Sequence, residues 1–216
     1  MCISKKFSVI VEGNIGCGKS TFLRYFDMIS SSVEVLQEPI NMWKNVKGFN
    51  LFELMYQDIR RWAVPFQACA LSTLLQRSKI NQNAPVRLLE RSLHSSRYCF
   101  VEAIRENGDI SEADYRALHE AYQWGIKHDE SKTDLFIYLR SSPRICLSRI
   151  KQRNRPGEEC IPLAYLEQLH KFHDELLLEN KYGLPAPIIV FDCDESLEKL
   201  KTTFFDQRRQ VLCGVE

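Results

Sequence analysis

Apolar residues along this chain fall into two kinds of pattern. Five short segments are rich in β-branched and other apolar side chains: Phe7 to Val11, Val33 to Leu36, Val86 to Leu89, Leu135 to Leu139, and Ile188 to Phe191. Segments of this length and composition read as strands buried in a sheet. Between them, apolar positions recur every three or four residues, which predicts helices over Lys19 to Met28, Trp62 to Arg77 and Leu93 to Glu106. Pro143 and Pro162 stand where helix starts are expected, and the second opens the stripe Leu163, Leu166, Leu169, Phe172, Leu176. Such alternation predicts an α/β fold, a parallel sheet covered by helices on both faces. Ligands of these sheets collect beyond the carboxyl ends of the strands, so the residues that follow each strand are the ones to inspect.

Composition narrows the class. The 216 residues, 44% hydrophobic and 26% charged, suit one domain over 1–216 with its own core, and Ser30 to Ser32 and Asn81 to Pro85 read as plain turns rather than linkers. Lysine plus arginine (29) nearly balances aspartate plus glutamate (28), so no general attraction to nucleic acid or to an anionic membrane is expected. The eight cysteines show no CxxC or zinc-type spacing and read as reduced, mostly buried thiols. Only Met1 to Lys6 precede the first apolar segment and no apolar stretch reaches membrane-spanning length, which leads to the expectation of a cytoplasmic or nuclear protein, mitochondrial only if a presequence was removed.

The chemistry begins where the first strand ends. Gly13-Asn14-Ile15-Gly16-Cys17-Gly18-Lys19-Ser20, followed by Thr21, satisfies G-x-x-x-x-G-K-[ST] with a strand before it and a helix after it. Glycines let successive backbone N–H groups converge on a triphosphate, Lys19 adds a point charge toward the β and γ phosphates, and Ser20 offers a hydroxyl to Mg²⁺. ATP and Mg²⁺ are therefore the expected cofactors of a phosphoryl transfer, and the acceptor must be chosen by other residues.

Strand two ends at Gln37-Glu38-Pro39, which places a carboxylate beside the phosphate loop; Glu38 is the candidate general base for an attacking hydroxyl. Strand three ends at Glu90-Arg91-Ser92. Glu90 is a candidate metal residue and Arg91 a candidate for steadying the acceptor or the transferring phosphoryl, while a plain structural ion pair is the alternative. Arg149, Arg153 and Arg155 close a helix just before Pro156 and Gly157, a pattern that suits a lid over about 149–160 closing on the phosphates. Trp43, Tyr56, Phe66, Gln67 and Phe100 make a candidate base pocket, in which rings stack and one amide pairs with a base edge. The spacing of His170 and His173, with Asp174 beside them, suggests a metal pair, but a solvated helix face is the preferred reading. A nucleoside monophosphate kinase of thymidylate-kinase type is the alternative function; Glu38 would repel its acceptor phosphate. A nucleotide switch would normally carry NKxD and DxxG, and neither occurs.

With these residues in view, the chain resembles deoxyribonucleoside kinases of the mitochondrial-thymidine-kinase and insect multisubstrate type. The resemblance runs from Phe7 to about Asp192 and is carried by EGNIGCGKST at Glu12 to Thr21, EP at Glu38, LFELMYQD at Leu51 to Asp58, PFQ at Pro65 to Gln67, ERSLHSSRYCF at Glu90 to Phe100, and the lid arginines. It implies a homodimer with a five-stranded parallel sheet, Mg²⁺-ATP as donor, and the 5′-hydroxyl of deoxynucleosides as acceptor. It further implies that Glu38 is the base, that Arg91 aids at the 5′ position, that Gln67 pairs with the base beside Phe100 and Trp43, that Tyr56 and Glu158 hold the sugar 3′-hydroxyl, and that Ser20 and Glu90 belong to the metal. This chain departs from its relatives at Arg155-Pro156-Gly157-Glu158 and at Lys151, where relatives often carry arginine. Purine-preferring relatives place an arginine and an aspartate where this chain has Leu74 and Ser96, so the resemblance implies pyrimidine preference, with small Ala70 leaving room for broader use.

Overall fold

The computed structural model describes residues 5–129 and 132–215. All five apolar segments form strands: β1 (Phe7–Glu12), β2 (Val33–Leu36), β3 (Val86–Glu90), β4 (Leu135–Arg140) and β5 (Ile188–Asp192). They pair in the order β2-β3-β1-β4-β5, every neighbour parallel, with Val9 opposite both Leu88 and Leu135 at the centre. Parallel neighbours need crossovers, and helices supply them: α1 (Lys19–Ile29), α2 (Ile40–Lys44), α3 (Leu51–Gln57), α4 (Ile59–Ser78), α5 (Leu93–Ser95), a π-helical stretch (Ser96–Val101), α6 (Glu102–Glu106), α7 (Glu112–His128), α8 (Pro143–Arg153), α9 (Leu163–Leu177), α10 (Leu197–Asp206) and α11 (Arg208–Val211).

The core explains why these segments fold as they do. Val9, Val11, Val86, Leu88, Phe136 and Ile137 are all but removed from solvent, as expected of central strands covered on both faces. One covering layer is aromatic: Phe22 of α1 meets Phe26 at 4.7 Å and Phe204 of α10 at 4.8 Å, with Phe191 of β5 beside them. Among the described residues no helix is long and apolar enough to cross a membrane, and the seven described cysteines are free, four of them buried.

The structure corrects the sequence reading in several places. The helix expected from Trp62 starts at Ile59, because the Asp58 side chain accepts a hydrogen bond from the Arg61 N–H and caps it. The single helix expected over Leu93 to Glu106 is interrupted by the π-helical stretch, and there Arg97 is buried and held by Glu102 (2.6 Å), Tyr115 (2.6 Å) and His119 (3.0 Å). His173 is not on a solvated face: it is fully buried in α9, its Nδ1 donating to the Leu169 carbonyl at 2.7 Å. His170 and Asp174 instead meet Arg140, whose guanidinium donates to the Asp174 carboxylate at 2.8 and 3.0 Å. Among the described residues no cluster of three His, Cys, Asp or Glu side chains is arranged to hold a metal ion.

Candidate active site

The phosphate loop leaves β1 and turns into α1 under steric constraints that only glycine meets. Gly13 has φ +141°, and a Cβ there would lie 2.5 Å from the Leu139 carbonyl oxygen; Gly16 has φ +81°, and a Cβ would lie 2.6 Å from that of Cys146. The loop is thus pressed against the end of β4 and against α8. The Lys19 ammonium is buried and donates to the carbonyls of Gly13 (3.0 Å) and Asn14 (2.8 Å), while the Asn14 amide donates to the Leu166 carbonyl at 2.8 Å and its oxygen accepts from the Ile15 N–H. Lysine and loop backbone are therefore held before any phosphate arrives.

Three acidic residues stand at the adjoining strand ends. Ser20 Oγ lies 3.3 Å from one Glu90 carboxylate oxygen, and the other Glu90 oxygen accepts from the Glu38 N–H at 3.4 Å. Mg²⁺ takes hard oxygen ligands, with one or two carboxylates alongside substrate phosphates and water. A hydroxyl and a carboxylate this close, beside the loop lysine, fit that requirement. Glu38 lies across from Arg91, whose Nε is 2.7 Å from Glu38 Oε1 without an aligned hydrogen bond. Burial alone would lower the Arg91 pKa, but Glu38, Glu12 and Glu90 outweigh it and hold the guanidinium charged. Arg91 also stacks over Phe100 at 4.5 Å and adopts φ +66°. Glu12, at the last position of β1, is fully buried; Ser92 donates to one of its oxygens at 2.5 Å, and burial raises its carboxyl pKa.

Lys19, Ser20, Glu38, Glu90, Arg91 and Phe100 border one cleft, a space of about 780 Å³ that is partly open to solvent. Its walls bring together Lys19, Ser20, Glu38, Glu90 and Arg91 with Trp43, Tyr56, Phe66, Gln67, Ala70, Leu74, Ser96, Phe100, Arg153, Arg155 and Glu158. The aromatic wall is internally fixed, since Trp43 Nε1 donates to Thr73 Oγ1 at 2.8 Å and packs edge-on to Phe66 at 5.3 Å. Gln67 is buried and accepts from the Ser96 hydroxyl at 3.4 Å. Burial, reinforced by Tyr165, Glu158 and Glu38, pushes the Tyr56 phenol well above its ordinary pKa, so its proton stays available for donation. In the segment after α8, Glu158 is buried and grips Arg153 (2.5 Å) and Arg155 (3.0 Å), whereas the Glu159 carboxylate turns back to the Gly157 N–H at 2.8 Å. Glu158, not Glu159, is the one that reaches the cleft.

Arg149 is not among the lining residues. It lies behind the phosphate loop, donating to the carbonyls of Cys17 (3.4 Å) and Cys193 (2.8 Å). Conversely, Ile40, Phe52, Met55 and Tyr165 line the cleft without having been singled out in the sequence, although Phe52 and Met55 fall within the LFELMYQD motif. Arg77 was missed altogether; it is buried at the end of α4 behind Glu38 and Arg91.

Fold and cleft together are those of a P-loop phosphotransferase with room for a small acceptor. Comparison with known proteins narrows that class: residues 9–212 match the family model for deoxynucleoside kinase, and the chain belongs to that family. It is 40% identical over 209 residues to mitochondrial thymidine kinase 2 of Homo sapiens, covering 96% of this chain and 78% of that protein. It is 33% identical to deoxycytidine kinase 2 of Gallus gallus over 89% of this chain and 84% of the other, and 31% identical to deoxycytidine kinase of Mus musculus over 96% and 91%.

Proposed function

We propose that this chain transfers the γ-phosphoryl group of ATP to the 5′-hydroxyl of deoxyribonucleosides, thymidine and deoxycytidine ahead of purines. The observation that carries the reading is the position of Glu38: a carboxylate paired with Arg91 on the same cleft as the phosphate-loop lysine, a buried amide and a wall of aromatic rings. With the base against Gln67, Phe100 and Trp43 and the sugar against Tyr56 and Glu158, the 5′ end of the acceptor points toward Glu38. Glu38 takes the hydroxyl proton as the 5′-oxygen bonds to the γ-phosphorus; the bond from that phosphorus to the bridging oxygen breaks, and ADP leaves with the electron pair. Arg91, Lys19, Arg153 and Arg155 offset the charge that spreads over the transferring oxygens. Arg149 stands apart from them: it holds the phosphate loop from behind, through the Cys17 and Cys193 carbonyls. Ser20 and Glu90 would hold Mg²⁺, which would offset negative charge on the donor phosphates.

Leu74, buried at the cleft wall, and the short Ser96 support pyrimidine preference, because neither offers a purine the charged partners that purine-preferring relatives carry there. A homodimer is supported by the apolar groove between α4 and α7, where Leu71, Leu75 and Ala121 line a concavity beside the 57%-exposed Trp124; two copies meeting there would cover each other's groove isologously.

The test is ADP release from Mg²⁺-ATP with thymidine, deoxycytidine, deoxyadenosine, deoxyguanosine and dTMP offered separately. Turnover with the nucleosides, pyrimidines first, is expected, and Glu38→Gln should lower kcat by about 10²–10⁴-fold without unfolding the chain. Turnover with dTMP alone would make it a monophosphate kinase instead, and near-full activity of Glu38→Gln would remove Glu38 as the base.

A further inference from the structure

The ladder between β2 and β3 ends at Leu36 opposite Leu89, just short of the two residues on which the proposed chemistry rests. Beyond it the chains carry Glu38 on one side and Arg91 on the other, and their carbonyls have no strand partner left. Arg77 occupies that gap. It comes from the last turn of α4, is only 7% exposed, and donates through Nη1 to the carbonyls of Leu36 (3.2 Å) and Gln37 (3.0 Å) and through Nη2 to that of Arg91 (2.8 Å). One planar guanidinium thus replaces the missing rung between two strand ends, a task for which its rigid fork is suited and a lysine ammonium is not.

The Arg91 backbone makes this contact consequential. At φ +66° it sits in a region that L-residues adopt at a cost, and such a conformation persists only where the surroundings hold it. Its N–H donates to the Val11 carbonyl at 3.0 Å and its own carbonyl accepts from Arg77, so Arg77 supplies the donor for one of the two bonds of that restraint. The same backbone twist sends the Arg91 side chain to Glu38 and over Phe100. Arg77 itself lines no part of the cleft and touches none of the groups that would contact a substrate through its side chain. Burial lowers its pKa to about 10, against the pull of Glu38, Glu90 and Glu12, which leaves it charged at neutral pH.

We infer that Arg77 is a positioning residue for phosphoryl transfer: it sets the spacing and backbone conformation of Glu38 and Arg91 through their own strand ends. It also links that edge to α4, the helix that carries Gln67, Ala70 and Leu74. The inference rests on the assignment of Glu38 as base.

The experiment is steady-state kinetics of the full chain with Mg²⁺-ATP and thymidine for Arg77→Met, Arg77→Lys, Glu38→Gln and the double variant Arg77→Met/Glu38→Gln, with a thermal melt of each. Displacing a reacting group by about an ångström costs on the order of a hundredfold in rate. Arg77→Met is therefore expected to lower kcat by about 10- to 100-fold with the KM for ATP within about threefold, and Arg77→Lys to recover part of the loss. In the Glu38→Gln background the same Arg77→Met change should cost clearly less than in the parent chain, because one of the two positioned groups, the base, is gone and only Arg91 is left to misplace. Arg77→Met with a lowered melting temperature but unchanged kcat, or a full additive loss in the double variant, overturns the inference. If Arg77→Met does not fold, unchanged kcat in a folded Arg77→Lys overturns it equally. Should Glu38→Gln itself remain active, the assignment of the base has failed rather than the role of Arg77.

Discussion

Gln67 is the side chain on which the proposed recognition of the base depends most. Its amide sits 4% exposed within α4, where an apolar residue would pack without penalty, and its carbonyl oxygen takes only a long 3.4 Å bond from Ser96. A buried amide with spare hydrogen-bonding capacity is costly unless a partner arrives, and a pyrimidine edge offers a donor and an acceptor side by side. Replacing it by the similarly sized Gln67→Leu leaves the base edge unpaired inside the cleft. Expected is a loss of about 1–3 kcal/mol, or about 5- to 150-fold in kcat/KM for thymidine, with the KM for ATP unchanged; equal kinetics for both proteins would show that the base is read elsewhere. Gln67, like Glu38 and Arg91, was legible in the sequence because it breaks a pattern or ends a strand. Arg77 and Glu12 were not. An arginine in the last turn of a helix reads as a solvated group complementing the helix dipole, and a glutamate closing a strand reads as the strand's exposed end. What distinguishes them is burial, which no local pattern reports.

At the scale of elements, the five strands were readable to within a residue because buried parallel strands concentrate apolar side chains in a few positions. Helices were readable in proportion to the apolar face they bury. α9 covers six positions, including Leu166, Leu169 and Phe172, whereas α7, 17 residues long and absent from the sequence reading, buries only Leu118, Tyr122 and Gly125. α2 and α3, five and seven residues long, are too short to show a period. The phosphate loop stands between the two cases: its motif was plain, its tight seating against α8 was not. Gly16→Ala tests that seating. The added Cβ would meet a backbone oxygen at 2.6 Å and Ile150 Cγ1 at 2.9 Å, so α8 or the loop must move. At Gly183, φ is +67° with nothing within 4 Å, and alanine costs only the left-handed backbone, about 1–2 kcal/mol. Gly16→Ala is expected to lose more than Gly183→Ala in urea unfolding and to raise the KM for ATP several-fold, while Gly183→Ala leaves kinetics alone. Equal destabilisation by the two, with unchanged kinetics, would show that the contact with α8 gives way freely.

For the molecule as a whole, a buried histidine and a half-buried one, both held without charge, bear on how the fold responds to acid. Burial lowers His173 to about 3 and His94 to about 4, from an ordinary value of 6.5. His173 Nδ1 is engaged with the Leu169 carbonyl and its Nε2 has no partner; its ring faces Phe100 and Tyr138, and the nearby Arg91 further disfavours a second positive charge. His94 Nδ1 shares a hydrogen bond with the Tyr122 hydroxyl at 2.8 Å. Because both folded values lie below the unfolded one, unfolding takes up protons on the acid side. The stability these groups contribute is present above pH 6.5 and drains away as the pH falls toward 4 and then 3. Asp174, held below its usual value by Arg140 and Tyr138 despite burial, adds a loss in the same direction at pH values under 3.8. Each histidine proton contributes a slope of up to about 1.4 kcal/mol per pH unit. The unfolding free energy from urea titrations at one protein concentration should therefore fall by as much as about 2.7 kcal/mol per unit below pH 6. In His173→Phe, which keeps a flat ring against Tyr138 but carries no titrating group, that slope should drop by about half, even if the variant is less stable at every pH, since the slope counts protons and the intercept counts packing. An unchanged slope would mean that His173 already binds its proton in the folded state.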